Sequence, residues 1–341
     1  VKRRSPSMPV VVGMGPAGLF AALFLARNGL PCVVLERGQD VDCRTAQVER
    51  FWDSGLLDPS SNVQFGEGGA GTFSDGKLTT GTHDPRISAV IDALVESGAP
   101  EDVKWSHKPH TDILRQVVKR IRQELISLGC DVRFGHCLSG LETGSGALSG
   151  VWVACEAGRY RLDCDALVLA PGHSARDTFA MLHQAGVPME QKNFAVGVRI
   201  EQEQAAISRA QYGPAWEQLP PSDYKLACHL PTGRSAFTFC VCPGGQVVAS
   251  SSAPGQVVTN GMSEFARDQE NINGALLVNI TPEDFGGESP LAGIAFQRRL
   301  EAAAYRAGQG GYLAPSQRVE DFLLNRPSAG PGRIKPSYRP G

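Results

Sequence analysis

The stretch Val10-Val11-Val12-Gly13-Met14-Gly15-Pro16-Ala17-Gly18 decides the fold of this chain. The three β-branched valines favour a strand, and residues 19–26 after the glycines are good helix formers. The pattern G-x-G-x-x-G therefore lies in a turn from strand to helix. In such a turn, main-chain N–H groups and the positive end of the helix dipole can meet a phosphate.

The residues of this turn have predicted roles in its geometry and in phosphate binding. Gly13 permits the tight turn, Gly15 lets the main chain approach a pyrophosphate, and Gly18 allows close contact between helix and strand. Pro16 suits the first helical turn because the N–H that it lacks would be unpaired there. Ala17 completes the predicted loop.

An acidic residue follows at the position that a nucleotide site requires. Glu36 ends the second predicted strand, at 32–36, so that strand, helix and strand form a βαβ unit. Its carboxylate can accept hydrogen bonds from both hydroxyls of an adenosine ribose, and it would repel a 2′-phosphate. NADP is therefore disfavoured at this site.

Composition limits the class of protein. The 341 residues, with 42% hydrophobic and 20% charged residues, predict about two soluble globular domains. The net charge of −2 gives no reason to expect a nucleic acid or an anionic membrane as partner. The nine cysteines lack paired spacing, which argues against a disulfide scaffold or a metal site and favours a reducing compartment over secretion. The apolar stretch from Met8 to Ala26 resembles a signal peptide or membrane span in composition, but its strand-turn-helix pattern argues against both.

The pattern along the chain predicts an α/β fold with a parallel sheet. A glycine-rich insertion at about 37–110 follows the βαβ unit, and a helix runs from Ile113 to Leu128. Short strands are expected at 131–134, 137–142, 150–155 and 159–162, and a strand buried on both faces at 166–170. We expect a dinucleotide-binding domain at 1–174, a second domain at 175–324, and a Pro/Gly-rich segment at 325–341. Both ends of the chain read as cuts, and we expect a C-terminal truncation.

Three segments carry a resemblance to flavoproteins. The extended pattern G-x-G-x-x-G-x3-A-x6-G, ending in Leu35-Glu36-Arg37, resembles the version of the fold that binds the ADP half of FAD. Residues 166–173, ALVLAPGH, resemble a late apolar strand of two-dinucleotide-binding flavoproteins. Residues 65–78, FGEGGAGTFSDGKL, are similar to the signature of a group of FAD-dependent dehydrogenases in bacteria and plastid-bearing eukaryotes.

The resemblance implies a Rossmann-like FAD/NAD(P)-binding domain with a parallel sheet and a β-meander, plus a mixed α+β substrate domain. It implies FAD as cofactor, NAD(P)H as an electron donor, and a cytoplasmic or plastid location. The relatives continue into a final segment that contacts the flavin and that this sequence lacks. The cofactor-binding residues expected from the turn and the resemblance together are Gly13, Gly15, Pro16, Ala17, Gly18, Glu36, Arg37, Gly68, Gly69, Ala70, Gly71, Thr72, Leu138, Ala170 and Gly172.

The remaining candidates come from the chemistry of their side chains. The glycines among residues 66–76 predict main-chain amides that face an anion or the edge of a flat ring. We expect Glu67 and Asp75 to point away from the ligand or to hold the loop by hydrogen bonds. His173 and Arg176 follow the late strand, where a doubly wound sheet binds its ligand. His173 is a candidate proton donor, and Arg176 is a candidate to hold an anionic substrate or the flavin diphosphate. Helix capping or a surface ion pair is the alternative for each.

Two thiols are a further candidate. If 237–242 is a strand, alternation places Cys240 and Cys242 on one face and Phe237, Phe239 and Val241 on the other. The thiols could be a redox pair, a flavin-side or substrate-side group, or small buried hydrophobic residues.

These features together predict an FAD-dependent oxidoreductase that acts on a small-molecule substrate. An NAD-dependent dehydrogenase and a non-catalytic flavin-binding protein are the alternatives.

Overall fold

The computed structural model describes residues 7–74, 83–106 and 111–341. The chain divides into two compact units, Val1–Met189 and Glu190–Gly341. The domain boundaries expected after residues 174 and 324 stay predictions.

The first unit contains a βαβ unit, a long helix, a meander and a late strand in the order expected from the sequence, together with helices within 37–110 and after residue 175 that the sequence did not predict. Its elements are β1 (Val10–Val12), α1 (Pro16–Arg27), β2 (Val33–Glu36), α2 (Val41–Ser54), α3 (Arg86–Glu96), α4 (Val103–Ser106), α5 (Thr111–Ser127), β3 (Asp131–Phe134), β4 (Cys137–Gly144), β5 (Ala147–Cys155), β6 (Gly158–Asp163), β7 (Leu167–Leu169) and α6 (Arg176–Gln184).

A parallel sheet lies at the centre of the first unit, in the strand order β3-β2-β1-β7. Side-chain alternation gives it two apolar faces. Val11 and Val34 pack with α1, α3 and α5, whereas Val10 and Leu35 pack with side chains of the antiparallel meander β4-β5-β6. The α/β fold with a parallel sheet and a meander is confirmed.

The second unit is mixed α+β. Its antiparallel sheet has the strand order β8-β13-β10-β9, and a separate hairpin pairs β11 with β12. The elements are β8 (Phe194–Glu203), α7 (Gln204–Tyr212), β9 (Ala227–His229), β10 (Ser235–Cys242), β11 (Gln246–Ala249), β12 (Thr259–Met262), β13 (Asn271–Ile280), α8 (Pro282–Phe285), α9 (Ala292–Ala307) and α10 (Val319–Leu323).

The alternation expected at 237–242 is wrong beyond Phe239. The pairing of β10 with β13 shifts between Phe239 and Cys242, and Cys240 has a φ of 47°. This irregularity turns the strand, so that Phe239 is exposed while Val241 is buried.

In the part of the chain that the structure describes, none of the helices combines the length and the apolar character needed to cross a bilayer.

Candidate functional site

A cleft of about 380 Å³ lies in the first unit, beside the carboxyl ends of β1, β2 and β7. The strand β1 is hydrogen-bonded to β2 on one side and to β7 on the other, so the chain order reverses at β1. Open parallel sheets bind their ligands at such a switch point, outside the carboxyl ends of the strands. The volume is typical of small-molecule sites.

The three glycines of the first turn meet different requirements. Gly13 has a φ of 92°, and a Cβ there would collide with the carbonyl oxygen of Ala170. A Cβ at Gly18 would collide with the carbonyl oxygen of Gly13. A Cβ at Gly15 would meet only the Cα of Gly69, at 3.7 Å. Gly13 and Gly18 are therefore required for packing, whereas Gly15 leaves space in the cleft.

Glu36 links this turn to the glycine-rich loop. Its side chain is buried; Oε2 accepts from Met14 N at 2.7 Å, and Oε1 accepts from Gly38 N at 2.9 Å and Gly66 N at 3.0 Å. A carboxylate has about four acceptor positions. Three are thus used by the main chain, which leaves one for a ribose hydroxyl rather than the two acceptor positions expected from the sequence.

Arg37 lines the cleft beside Glu36 and is fixed by its neighbours. Its Nη2 donates to Asp177 Oδ1 and to Thr178 Oγ1, both at 2.9 Å, and its Cζ lies 4.4 Å from the ring centroid of Phe65. Burial alone would raise the pKa of Asp177, but the hydrogen bond and charge of Arg37 lower that pKa below its ordinary value. The Arg37 side chain is therefore held in place rather than freely mobile.

The loop at 66–72 presents fewer amides to the cleft than the sequence suggests. Main-chain N–H groups of residues 66–69 donate within the protein, to Glu36 Oε1, Gln39 O, Met14 O and Gly66 O, at 2.8–3.1 Å. A short 3₁₀ helix, Gly69–Phe73, follows. Ala70 and Gly71 line the cleft, and a Cβ at Gly71 would meet no atom within 4 Å.

The two carboxylates of this region can be placed only in part. Glu67 is fully buried; its Oε2 accepts from Val41 N at 2.7 Å, and its Oε1 lies 3.3 Å from Arg122 Nε. Burial raises the pKa of Glu67 above its ordinary value, although the Val41 hydrogen bond and the Arg122 charge act to lower it. Glu67 therefore holds the loop. Asp75, with the rest of the signature at 75–78, lies outside the described residues.

The structure brings most of the candidate residues to the cleft. Gly18 lies beneath the turn, and Gly68 and Thr72 lie on the side of the loop that faces Val118. Arg176 is buried at the start of α6, outside the lining, and Cys240 and Cys242 belong to the second unit. The candidates that line the cleft are Gly13, Gly15, Pro16, Ala17, Glu36, Arg37, Gly69, Ala70, Gly71, Leu138, Ala170, Gly172 and His173.

Several lining residues were not expected from the sequence. His136 and Cys137 immediately precede Leu138, so their nearness to that candidate was the available signal. Burial raises the pKa of the Cys137 thiol, despite the nearby charge of Arg37. Gln64 and Phe65 adjoin the predicted loop, which begins at Gly66, whereas Thr178 lies on α6 and had no signal.

The two candidate thiols of the second unit lie beside Arg199. Arg199 Nη2 donates to Cys240 O at 2.8 Å and lies 3.7 Å from Cys242 Sγ. Cys242 is fully buried, and neither cysteine forms a disulfide within the described residues.

Comparisons with known proteins agree with a flavin site. Residues 9–73 match the family model "FAD binding domain", and residues 193–341 match "FAD-dependent protein, C-terminal domain-like". FAD is the cofactor that these models indicate.

A relative from Clostridium beijerinckii, described as "Uncharacterized protein", is 50% identical over 338 residues. The alignment covers 98% of this chain, and this chain spans 63% of the length of that relative.

Two solved structures of low identity also match this chain. The myxobacterial chondrochloren halogenase CndH is 14% identical, with a TM-score of 0.40, and the match covers 92% of this chain and 61% of that one. The anhydrotetracycline hydroxylase OxyS from Streptomyces rimosus is 17% identical, with a TM-score of 0.37, and the match covers 89% and 49%.

The residues of the cleft fit the nucleotide part of FAD. Glu36 keeps one acceptor position beside the Gly13 turn, and Gly15 leaves space there. Gly172, with a φ of 77°, also lines the cleft, and a Cβ there would meet no atom within 4 Å. These positions offer space for a diphosphate and one acceptor for a ribose hydroxyl.

Proposed function

We propose that this chain is an FAD-dependent oxidoreductase whose cleft binds the ADP half of the cofactor. The observation that carries the proposal is the meeting of Glu36 with the Gly13 turn at the switch point of the sheet. Its carboxylate lies 2.7 Å from Met14 N, within the turn itself. The FAD family models that match both parts of the chain support the same proposal.

Bound FAD would supply the transfer of a hydride or an electron pair. The residues of this chain would bind and orient it. Glu36 would accept from a ribose hydroxyl, the turn at Gly15 would lie against the diphosphate, and the helix dipole of α1 would favour its negative charge. His173 lines the cleft, with Nε2 3.2 Å from Ser174 Oγ, and is the proposed proton donor.

We also propose roles for the other candidate residues and for the electron donor. Arg176, Cys240 and Cys242 lie outside the lining of the cleft, so a role of Arg176 in holding an anionic substrate and of the two thiols on the substrate side stays a prediction. NADH or NADPH would be the electron donor. The substrate would be a small molecule. With a net charge of −2 we propose no nucleic-acid partner. Because the nine cysteines form no disulfide among the described residues, we propose a reducing compartment such as the cytoplasm or a plastid. We propose a kinship with the FAD-dependent dehydrogenases that the signature at 65–78 resembles.

Cofactor binding is tested with two glycine variants. Gly15→Leu would fill the cleft, because a Cβ there meets only Gly69 Cα, at 3.7 Å, and the longer side chain extends further. We expect its affinity for FAD to fall at least about tenfold, which is about 1.4 kcal/mol. The matched control is Gly144→Ala on β4, where a Cβ would make ordinary contact with Ser149 at 3.9 Å.

The measurement is the visible absorption of each purified protein, with the released cofactor identified by mass. Unchanged FAD occupancy in Gly15→Leu would contradict the placement of the diphosphate. A colourless wild type that carries only NAD would support the NAD-dependent dehydrogenase instead.

Catalysis is tested by anaerobic addition of NADH or NADPH to the FAD-loaded protein. Bleaching of the flavin absorbance at a rate that sustains turnover is the expected result. A tightly held flavin that neither donor reduces would favour a non-catalytic flavin-binding protein.

A further inference from the structure

Arg44, on α2, is a fully buried arginine outside the lining of the cleft. Its guanidinium uses all three nitrogens on main-chain carbonyls of the segment 62–69. Its hydrogen bonds run from Nε to Asn62 O at 2.8 Å, from Nη1 to Glu67 O at 2.6 Å and Gly66 O at 3.4 Å, and from Nη2 to Val63 O and Gly69 O, both at 2.9 Å.

This pattern sets the direction of the peptides in the loop. A trans peptide is planar, so the N–H that follows a carbonyl points away from whatever that carbonyl contacts. With the Gly69 carbonyl fixed on Nη2, the Ala70 N–H points away from Arg44. With the Glu67 carbonyl fixed on Nη1, the Gly68 N–H points toward Met14 O, to which it donates at 2.8 Å.

The loop that Arg44 holds is in tight contact with the nucleotide turn. A Cβ at Gly69 would lie 2.9 Å from the Cα of Gly15, so the two main chains touch directly. Gly66 N donates to Glu36 Oε1, the same carboxylate that accepts from Met14 N. A displacement of the loop would therefore reach both Gly15 and Glu36.

Only a guanidinium suits this position. It presents five N–H donors in a rigid planar fork, whereas a lysine ammonium presents three donors at one point. Burial lowers the pKa of Arg44 to about 9, against the attraction of Glu36 and Glu67, and the side chain still carries its charge at neutral pH.

We propose that Arg44 is a positioning residue that sets the affinity of the cleft for FAD, by holding the 66–72 loop against the Gly15 turn. This inference rests on the proposed function, because it assumes that the cleft binds FAD. Because Arg44 lies outside the lining of the cleft, it acts through the loop.

The test compares Arg44→Lys with Arg50→Lys, an exposed arginine on the same helix. FAD titrations followed by flavin fluorescence should show at least tenfold weaker binding for Arg44→Lys and no change for Arg50→Lys. The absorption maximum of the bound flavin should shift in Arg44→Lys alone. Thermal unfolding of the FAD-free proteins, measured in parallel, identifies the temperatures at which each variant is folded.

A second variant removes the side chain and supplies the guanidinium separately. Arg44→Ala should bind FAD poorly, and millimolar ethylguanidine should restore binding, whereas ethylamine at the same concentration should not. Wild-type binding of FAD combined with unchanged affinity and spectrum in Arg44→Lys would overturn the inference while leaving the proposed function intact. Failure of the wild type to bind FAD would instead overturn the proposed function. If Arg44→Ala does not fold, Arg44→Lys alone decides.

Discussion

Glu36 holds N–H groups from three separate segments, those of Met14, Gly38 and Gly66, on one buried carboxylate. Glu36→Gln keeps the shape but replaces one oxygen by an amide donor. That donor must face either Met14 N or the other two N–H groups, and at least one buried N–H loses its acceptor. We expect the free energy of unfolding to fall by about 1–3 kcal/mol, with weaker FAD binding. Urea unfolding measures the first effect, and Glu49→Gln, an exposed residue of α2, is the control. Equal loss in both variants would contradict the assignment.

Glu67 should make stability depend on pH in the opposite sense to an ordinary ion-paired carboxylate. Burial raises its pKa above the ordinary value of 4.5, so the folded state holds the proton more tightly than the unfolded chain. Between pH 4.5 and the raised pKa the folded state binds more protons, and the free energy of unfolding therefore falls as pH rises. The contribution is complete at low pH and is lost through this window.

The variant Glu67→Gln isolates that contribution. It keeps an acceptor for Val41 N and removes the titration. We expect the free energy of unfolding of the wild type, minus that of the variant, to decrease from pH 5 to pH 7 in urea series. A difference that stays constant or increases over this range would show that the Arg122 charge, rather than burial, governs Glu67.

At the scale of elements, the sequence predicted secondary structure correctly where the signal lies within one continuous stretch. The strand, turn and helix from Val10 to Arg27 follow from a β-branched run, two glycines and a helix-forming segment, all within one continuous stretch. The irregularity at Cys240 could not be predicted from the sequence of β10, because it arises from how β10 pairs with β13. The burial of Arg44 could not be predicted for a similar reason. The helix α2 is rich in polar residues, and the carbonyl groups that bind Arg44 come from a separate segment, 62–69.

The hairpin between β4 and β5 offers a prediction at the same scale. Its two-residue turn places Ser145 at a φ of 52° and Gly146 at 79°, the left-handed pair of a type I′ turn. Asparagine tolerates this conformation better than serine, so Ser145→Asn should raise the free energy of unfolding by about 0.5 kcal/mol. Ser145→Val should lower it by about 1 kcal/mol or more, since β-branched residues are strained there. Thermal unfolding of the two variants checks the opposite signs, and a stabilising valine would show that the turn differs from this geometry.

At the scale of the whole molecule, the segments that match the FAD family models differ from the segments that line the cleft. The two FAD family models cover residues 9–73 and 193–341, whereas the lining of the cleft runs from Val12 to Thr178. Leu138, His173 and Thr178 line the cleft, and neither family model includes these residues. The parallel pairing of β7 with β1 brings that later part of the chain to the Gly13 turn. A dinucleotide that fills the cleft would contact both parts and stabilise their association.

Because a dinucleotide in the cleft would contact both parts of the first unit, we expect cofactors to change the free energy of unfolding. A ligand that binds only the folded state adds about 2.7 kcal/mol to the free energy of unfolding at a concentration one hundred times its Kd. FAD should therefore raise the unfolding temperature and slow hydrogen exchange in β1, β2 and β7. NADP⁺ at the same concentration should not slow hydrogen exchange at these strands of the cleft, because its 2′-phosphate would approach the buried carboxylate of Glu36. AMP serves as the matched probe, since it offers the adenosine without the flavin and should give a smaller effect of the same kind. Protection by NADP⁺ equal to that by FAD would show that Glu36 does not face the ribose, and the cleft would then need a different ligand.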